Sequence, residues 1–417
     1  MSSLYLHIPF CEHKCIYCDF YSVAPNGNKE KSSARLRRER LRRAQSSRPV
    51  ERSDEPFDSL VDRFLVALRT EIELRHADGR YDAEYSTIFF GGGTPSLLPP
   101  SNVGEILDLL RAKFRVRSDA EITLETNPGT VTLETLRELR KVGVNRISMG
   151  IQSFHDDDLK FLSRIHTAEQ AKSCVRDAFR AGFENVSFDL IFSLPSQSLE
   201  RWESNLQQAV ALEPSHISCY SLIVEPDTPL YKMVESKQIS PLPENVDAKM
   251  YETTIAFLRT HGYEQYEVSN FARPGFKSRH NLSYWNHDQY LGFGPSAHSF
   301  WDGRRFWNIA NIVNYTEFLN RGQLPEAGGE ELTEEQLLEE EIFLGLRSEG
   351  IDLKKFRRLY RKDLLESAST RVRDFLQDDL LVLDRERLRL TSKGYLLCDE
   401  IASTLVLAGM PGEMYYK

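Results

Sequence analysis

The sequence predicts an α/β protein with a parallel sheet, doubly wound or curved toward a barrel, followed by a smaller helical module. Three observations predict it. Strand-like and helix-like segments alternate over the first 230 residues, with six strand candidates. Residues able to bind ligands recur at the carboxyl ends of those strands, where ligands sit in both architectures. Beyond about residue 230 the alternation stops, and after Thr333 short helical patterns take over.

The strand candidates are Ser3–Ile8, Ser86–Phe90, Glu121–Glu125, Arg146–Met149, Asn185–Ile191 and His216–Leu222. Each is short, and most are apolar or β-branched enough for a buried parallel strand. Phe57, Leu60, Val61, Phe64, Leu65 and Leu68 recur at helical spacing, and segments 101–113, 131–141, 167–181 and 198–211 behave alike. Residues 26–56 interrupt the rhythm, with ten Lys/Arg and three Glu between Lys29 and Arg52. This insertion reads either as a solvated surface segment or as a basic arm for an acidic partner, a membrane surface or nucleic acid. Residues 244–262 read as a helix, whereas 263–310 is rich in Gly, aromatics and His with poor helical periodicity. Helical patterns return at 333–346, 352–360 and 363–377. Leu380–Leu390 alternates like a hairpin, and Thr391–Gly394 opens a last helix. Three short helices with a hairpin resemble a winged-helix module. The expected divisions are 1–25 (first strand and cysteine loop), 26–56 (insertion), 57–230 (remaining α/β repeats), 231–325 (connecting region) and 326–417 (helical, winged-helix-like domain).

Composition narrows the class. The chain has 417 residues, 41% hydrophobic and 28% charged, which is ordinary for a soluble globular protein. Collagen-like, coiled-coil and wholly disordered readings are excluded. No apolar run reaches the roughly 20 residues of a membrane span. Met1-Ser2-Ser3-Leu4-Tyr5 does not begin a secretory leader, so the cytoplasm is the expected compartment. A net charge of −9 disfavours stable nucleic-acid binding. Peripheral membrane association, and either a monomer or a dimer, stay open as expectations.

Six cysteines are too sparse for a disulfide scaffold, yet Cys11, Cys15 and Cys18 fall within eight residues directly after the first strand. A closed zinc site wants four ligands, and here only His7 or His13 could add one. Three thiolates on a [4Fe-4S] cluster instead leave one iron open. Cys174, Cys219 and Cys398 are scattered and read as small core residues. Phe89-Phe90-Gly91-Gly92-Gly93-Thr94-Pro95 follows the second strand, where glycine lets backbone approach a ligand. Glu125 ends the third strand, Gln152 the fourth, and Asp189 lies on the fifth. Arg164 offers a fork for a carboxylate.

Cys-x3-Cys-x2-Cys after the first strand of a β/α chain resembles the radical S-adenosylmethionine (SAM) superfamily. The segments Tyr5–Cys11, Gly91–Pro95, Gly150–Phe154 and Asp189–Pro195 are similar to its oxygen-independent coproporphyrinogen III oxidase branch, from Leu4 to about the last helix. The resemblance implies an open, partial (β/α)6 TIM-like barrel with a helical C-terminal domain. It implies Cys11, Cys15 and Cys18 as [4Fe-4S] ligands. It also implies Tyr5, Tyr17, Gly92, Gly93, Thr94, Glu125, Gln152, Arg164 and Asp189 as SAM-binding positions. Within the branch, the oxidase carries a fourth cysteine where this chain has Phe20, and a long extension before the first strand. Both departures count against oxidative decarboxylation of a porphyrinogen. His280-Asn281-Leu282-Ser283-Tyr284-Trp285 matches the His-Asn-x-x-Tyr-Trp pattern of the branch's haem chaperones, and Leu291–Ser299 follows as in that family. That resemblance implies haem as cargo, an acceptor haem protein of respiration, and a reductant protein for the cluster. His280, Tyr284 and Trp285 are the expected haem contacts, although His280 alone also reads as a hydrogen-bonded structural histidine. His7, His287 and His298 rank behind it. The insertion at 26–56 is longer than the family pattern, and it is expected to tune access to the cluster or to dock an acidic partner.

Overall fold

The computed structural model describes residues 2–25 and 57–409; the Arg-rich insertion at 26–56 lies outside the described residues. Six parallel strands run in chain order, β1 (Ser2–Ile8), β2 (Glu84–Gly92), β3 (Arg115–Thr126), β4 (Arg146–Gln152), β5 (Asn185–Phe192) and β6 (His216–Ser221). The joining helices are α1 (Phe57–Asp78), α2 (Pro100–Lys113), α3 (Leu133–Val142), α4 (Asp156–Phe161), α5 (Ala168–Arg180) and α6 (Leu199–Ala211). All six expected strands form; five lie within three residues of their expected bounds, and β3 begins six residues before the expected Glu121. The short helix α4 was not expected. At six residues it is too brief to show a period.

Strand alternation explains both the core and the site. Leu4, Leu6, Ile8, Ile88, Phe90, Ile122, Leu124, Ile147, Met149, Val186, Phe188 and Ile217 belong to the main hydrophobic core. The residues between them, on the opposite face, are Tyr5, His7, Thr87, Thr123, Glu125, Ser148, Ser187, Asp189, His216 and Ser218. One face of the sheet therefore packs under helices, and the other is polar.

The sheet stays open. α7 (Pro229–Glu235) and α8 (Glu244–Thr260) follow β6, and β7 (Glu264–Gln265) and β8 (Asn270–Ala272) extend the β6 edge antiparallel. After α9 (Arg279–Trp285), β9 (Tyr290–Phe293) pairs parallel with β1. Then β10 (His298–Trp301), β11 (Arg304–Asn308) and, after α10 (Ile312–Asn320), β12 (Glu326–Glu331) complete a 12-stranded sheet. β1 and β6 thus each pair outward and do not close on each other. Residues 263–310, whose sequence shows poor helical periodicity, hold five of these strands. They are two to five residues long, too short for a periodic signal, and their hydrogen bonds come from the neighbouring sheet.

A second hydrophobic core, including Leu338, Ile342, Phe356, Leu388 and Ile401, gathers the C-terminal elements. These are α11 (Glu334–Leu346), β13 (Ile351–Asp352), α12 (Leu353–Tyr360), α13 (Leu364–Ser367), α14 (Ser369–Gln377), β14 (Leu381–Asp384), β15 (Arg387–Leu390) and α15 (Cys398–Gly409). The single helix expected over 363–377 is two, broken at Ala368. Among the described residues no helix is long and apolar enough to cross a membrane.

Candidate functional site

The cysteine loop is held at its neck. Cys11 N donates to Val23 O at 3.0 Å and Val23 N to Pro9 O at 2.6 Å. Phe10 plugs into the core, edge-on to Phe57 and Phe64 at 5.4 and 5.2 Å. Cys11, Cys15 and Cys18 are half-buried free thiols at the carboxyl end of β1. Cys18 is pushed up to about 11, chiefly by burial. Among the described residues no three His, Cys, Asp or Glu side chains already form a complete ion-binding group. The three soft donors on one loop, with hydrogen-bond donors aimed at two of them, nonetheless suit an iron–sulfur cluster with one open iron.

The glycines have a role the sequence did not reveal. Gly93 N donates to Ile8 O at 2.8 Å and Thr94 N to Phe10 O at 2.6 Å, which docks the end of β2 against the start of the cysteine loop. A Cβ on Gly93 would lie 2.6 Å from Phe10 O. Gly92 has φ +103°, and a Cβ there would meet the His7 ring at 2.6 Å. Thr94 is buried and donates to Cys11 Sγ at 3.6 Å, so it reaches the cysteine loop directly.

Arg164 gathers the next layer. Nη1 donates to Cys15 Sγ at 3.4 Å, and Nη2 donates to Gly150 O at 2.7 Å and to the Asn127 side chain. Asn127 in turn donates to Thr94 Oγ1 at 3.0 Å. Gln152 is buried with φ +69°, a left-handed conformation that turns its side chain back beside Gly150 and Arg164. Tyr17 packs with Leu162, Ile191 and Leu194, tying the loop to α4 and β5. On the polar face Glu125 is pushed up to about 8 by burial, with the nearby Asp189 charge adding to it. Asp189 is likewise raised, by burial, against its hydrogen bond with Ser218. A cationic group brought to this pair of carboxyls would restore their ionised form.

Beside the cysteine loop lies a cavity of about 720 Å³. Tyr5 and His7 of β1, Phe20 and Tyr21 of the loop, the β9–β11 extension and Phe343 of α11 line it. Phe20, in the place of the oxidase's fourth cysteine, is 65% exposed and contributes to its wall.

Comparison with known proteins places this arrangement. Residues 5–209 match the family described as the Radical SAM superfamily, and residues 332–397 match the HemN C-terminal domain. "Heme chaperone HemW" of Bacillus subtilis is 36% identical over 406 residues, covering 96% of this chain and 98% of that protein. The chain belongs to the HemW family of radical SAM proteins. Its Lactococcus lactis member is 32% identical, covering 97% of both chains. Coproporphyrinogen III oxidase (HemN) of Escherichia coli, a radical SAM enzyme of known structure, shares the fold. It has a TM-score of 0.76 at 23% identity, over 97% of this chain and 89% of that one.

In this HemW-family chain the expected haem contacts are not equivalent. His280 is 1% exposed. Its Nδ1 lies 2.7 Å from Thr87 Oγ1 and its Nε2 2.9 Å from Tyr284 Oη, while Phe89 stacks on the ring at 4.8 Å. With both nitrogens engaged, His280 serves here as a structural pivot between β2 and α9. These contacts match the hydrogen-bonded structural histidine that the sequence also allows at this position. Tyr284 lines the cavity, whereas Trp285, half-buried on α9, does not. Sequence reasoning also missed Asn127. The signal was present, since Asn127 precedes Pro128 at the end of β3.

Proposed function

We propose that this chain carries haem, holding a [4Fe-4S] cluster on Cys11, Cys15 and Cys18 and SAM along the strand ends, and hands the haem to an acceptor haem protein. The cavity beside the cysteine loop carries this reading. Its volume is within the range of roughly 300–1,000 Å³ typical of small-molecule sites, and its wall is rich in aromatic rings and imidazoles. Similarity to proteins named heme chaperone HemW over nearly the whole chain supports the same function. A bound cluster would supply an open iron for the SAM amino and carboxylate groups and one electron. Around it, Arg164 and Thr94 donate to the thiolates, and Gly93 and Thr94 fix the loop. Glu125 and Asp189 supply carboxylates for the SAM ammonium, and Gln152 reaches its ribose. Tyr17 packs the loop in place, and Tyr5 lines the cavity beside it. The reading includes a cytoplasmic location, a reductant protein and a respiratory acceptor.

The second reading, oxidation of a porphyrinogen, is favoured by the fold shared with HemN. Phe20 stands against it. The deciding experiment titrates haem into the anaerobically reconstituted full chain, then mixes the loaded protein with an apo-haem protein. One haem per chain and its transfer support the carrier. Turnover of coproporphyrinogen without saturable haem binding would establish the oxidase instead.

A further inference from the structure

We propose that His298 is the haem-iron ligand, with the macrocycle in the cavity between the cysteine loop and α11 and its propionates at Arg305 and Arg347. The inference rests on the haem-carrying function above and names its seat.

The choice among histidines follows from which nitrogens are already engaged. An axial ligand needs a neutral imidazole with a lone pair facing an open volume. His280 has no lone pair facing an open volume, because Thr87 and Tyr284 engage both of its nitrogens. His7 lines the cavity, but its Nδ1 is 3.1 Å from Tyr5 Oη and its Nε2 2.8 Å from Tyr21 O. His287 has Nε2 3.1 Å from the Glu340 carboxylate and its ring stacked on Phe300 at 4.5 Å. His298 also lines the cavity, and its ring nitrogens make no hydrogen bond among the described residues.

The ring is also oriented. His298 opens β10 opposite Trp307 of β11, and the two rings stack at 5.7 Å and 26°. The turn before it is pinned by Ser296 N to Ile309 O at 3.1 Å and Asn308 N to Ala297 O at 2.9 Å. A ligand on a strand braced by its cross-strand partner is better positioned than one on a free loop.

Two cations stand at the same cavity. Arg305 binds both Glu340 oxygens at 2.8 Å, and Arg347 binds Asp399 at 2.6 Å. Asp399 is 74% exposed. Such a surface pair is weak, so exchanging Asp399 for a propionate forfeits little. Tyr284, Tyr290 and Phe343 give the macrocycle aromatic surface.

The test titrates hemin into full-length wild type, His298→Ala and Leu344→Trp, following the Soret band and the axial-ligand signature by electron paramagnetic resonance. Wild type should bind one haem with a histidine signature. His298→Ala should bind at least about tenfold more weakly and lose that signature, and added imidazole should restore it. Leu344→Trp, which fills the cavity from α11, should lower haem occupancy while SAM binding persists. Unchanged affinity and signature in His298→Ala overturns the proposal. So does loss of the signature in folded His280→Gln with His298→Ala unaffected. If wild type itself fails to bind haem, the carrier function falls first and the seat with it.

Discussion

Gly93→Ala tests whether the glycine segment seats the cluster loop or serves only a ligand. Gly93 does not have a positive φ, so alanine meets no backbone strain and the perturbation is purely steric. The new Cβ would sit 2.6 Å from Phe10 O, 2.8 Å from Ile8 O and 2.9 Å from Phe10 N, all backbone atoms. Relief requires β2 and the cysteine loop to part, which breaks the Gly93 N to Ile8 O and Thr94 N to Phe10 O bonds. Two hydrogen bonds at about 1 kcal/mol each and overpacking of about 1–3 kcal/mol give a loss of about 3–5 kcal/mol. The displacement also draws Thr94 away from Cys11. The assay is iron and sulfide content after anaerobic reconstitution, alongside urea unfolding. Cluster content should fall to a minor fraction of wild type and the unfolding midpoint should drop. Full cluster content with an unchanged midpoint, and only SAM affinity lost, would refute this reasoning.

Three further outcomes are expected. Glu71 is fully buried on α1 and accepts from Gly294 N at 2.8 Å, Tyr315 Oη at 2.7 Å and Asn308 Nδ2 at 2.6 Å, with Arg75 3.9 Å away. Glu71→Ala leaves Gly294 N and Tyr315 Oη without a partner and takes the carboxylate from Arg75, and should cost about 3–5 kcal/mol in urea unfolding; a loss under about 1 kcal/mol would show that water replaces the carboxylate. Glu267 is pushed up to about 8, chiefly by burial. The folded state then binds a proton that the unfolded state lacks between the ordinary carboxyl value and about 8, so this stability is present at low pH and lost as pH rises through 8. Glu267→Gln should lose less stability than wild type between pH 6.5 and 8.5, and parallel pH profiles would contradict the assignment. Arg164→Lys cannot reach Cys15, Gly150 and Asn127 at once. Its reconstituted cluster should yield to a chelator roughly 10–100-fold faster, the range for loss of a residue supporting metal ligands, and an unchanged rate would remove Arg164 from the cluster's support.

The order of elements was legible because each is encoded locally. Leu4, Leu6 and Ile8 alternate as a buried strand must, and Leu60, Phe64, Leu68 and Ile72 recur as one helix face must. The spacing of Cys11, Cys15 and Cys18 is equally local, since all three lie on one loop. Glu125, Gln152, Arg164 and Asp189 were marked by their places near strand ends, and resemblance to a family added their expected role toward SAM. Pairings between distant segments were not legible. No local pattern says that β9 joins β1 from 287 residues along the chain, or that Phe343 of α11 completes a wall begun by Tyr5. The two roles of histidine separated for the same reason. His280 and His298 are chemically alike in sequence, and only the fold brings Thr87 and Tyr284 to both nitrogens of one while leaving the other open. Sequence alone determined the helices, strands and thiol loop, because side-chain periodicity and short-range spacing carry that information. Tertiary structure decided which polar groups are satisfied and which face a cavity, because hydrogen-bond saturation depends on partners brought from elsewhere in the chain.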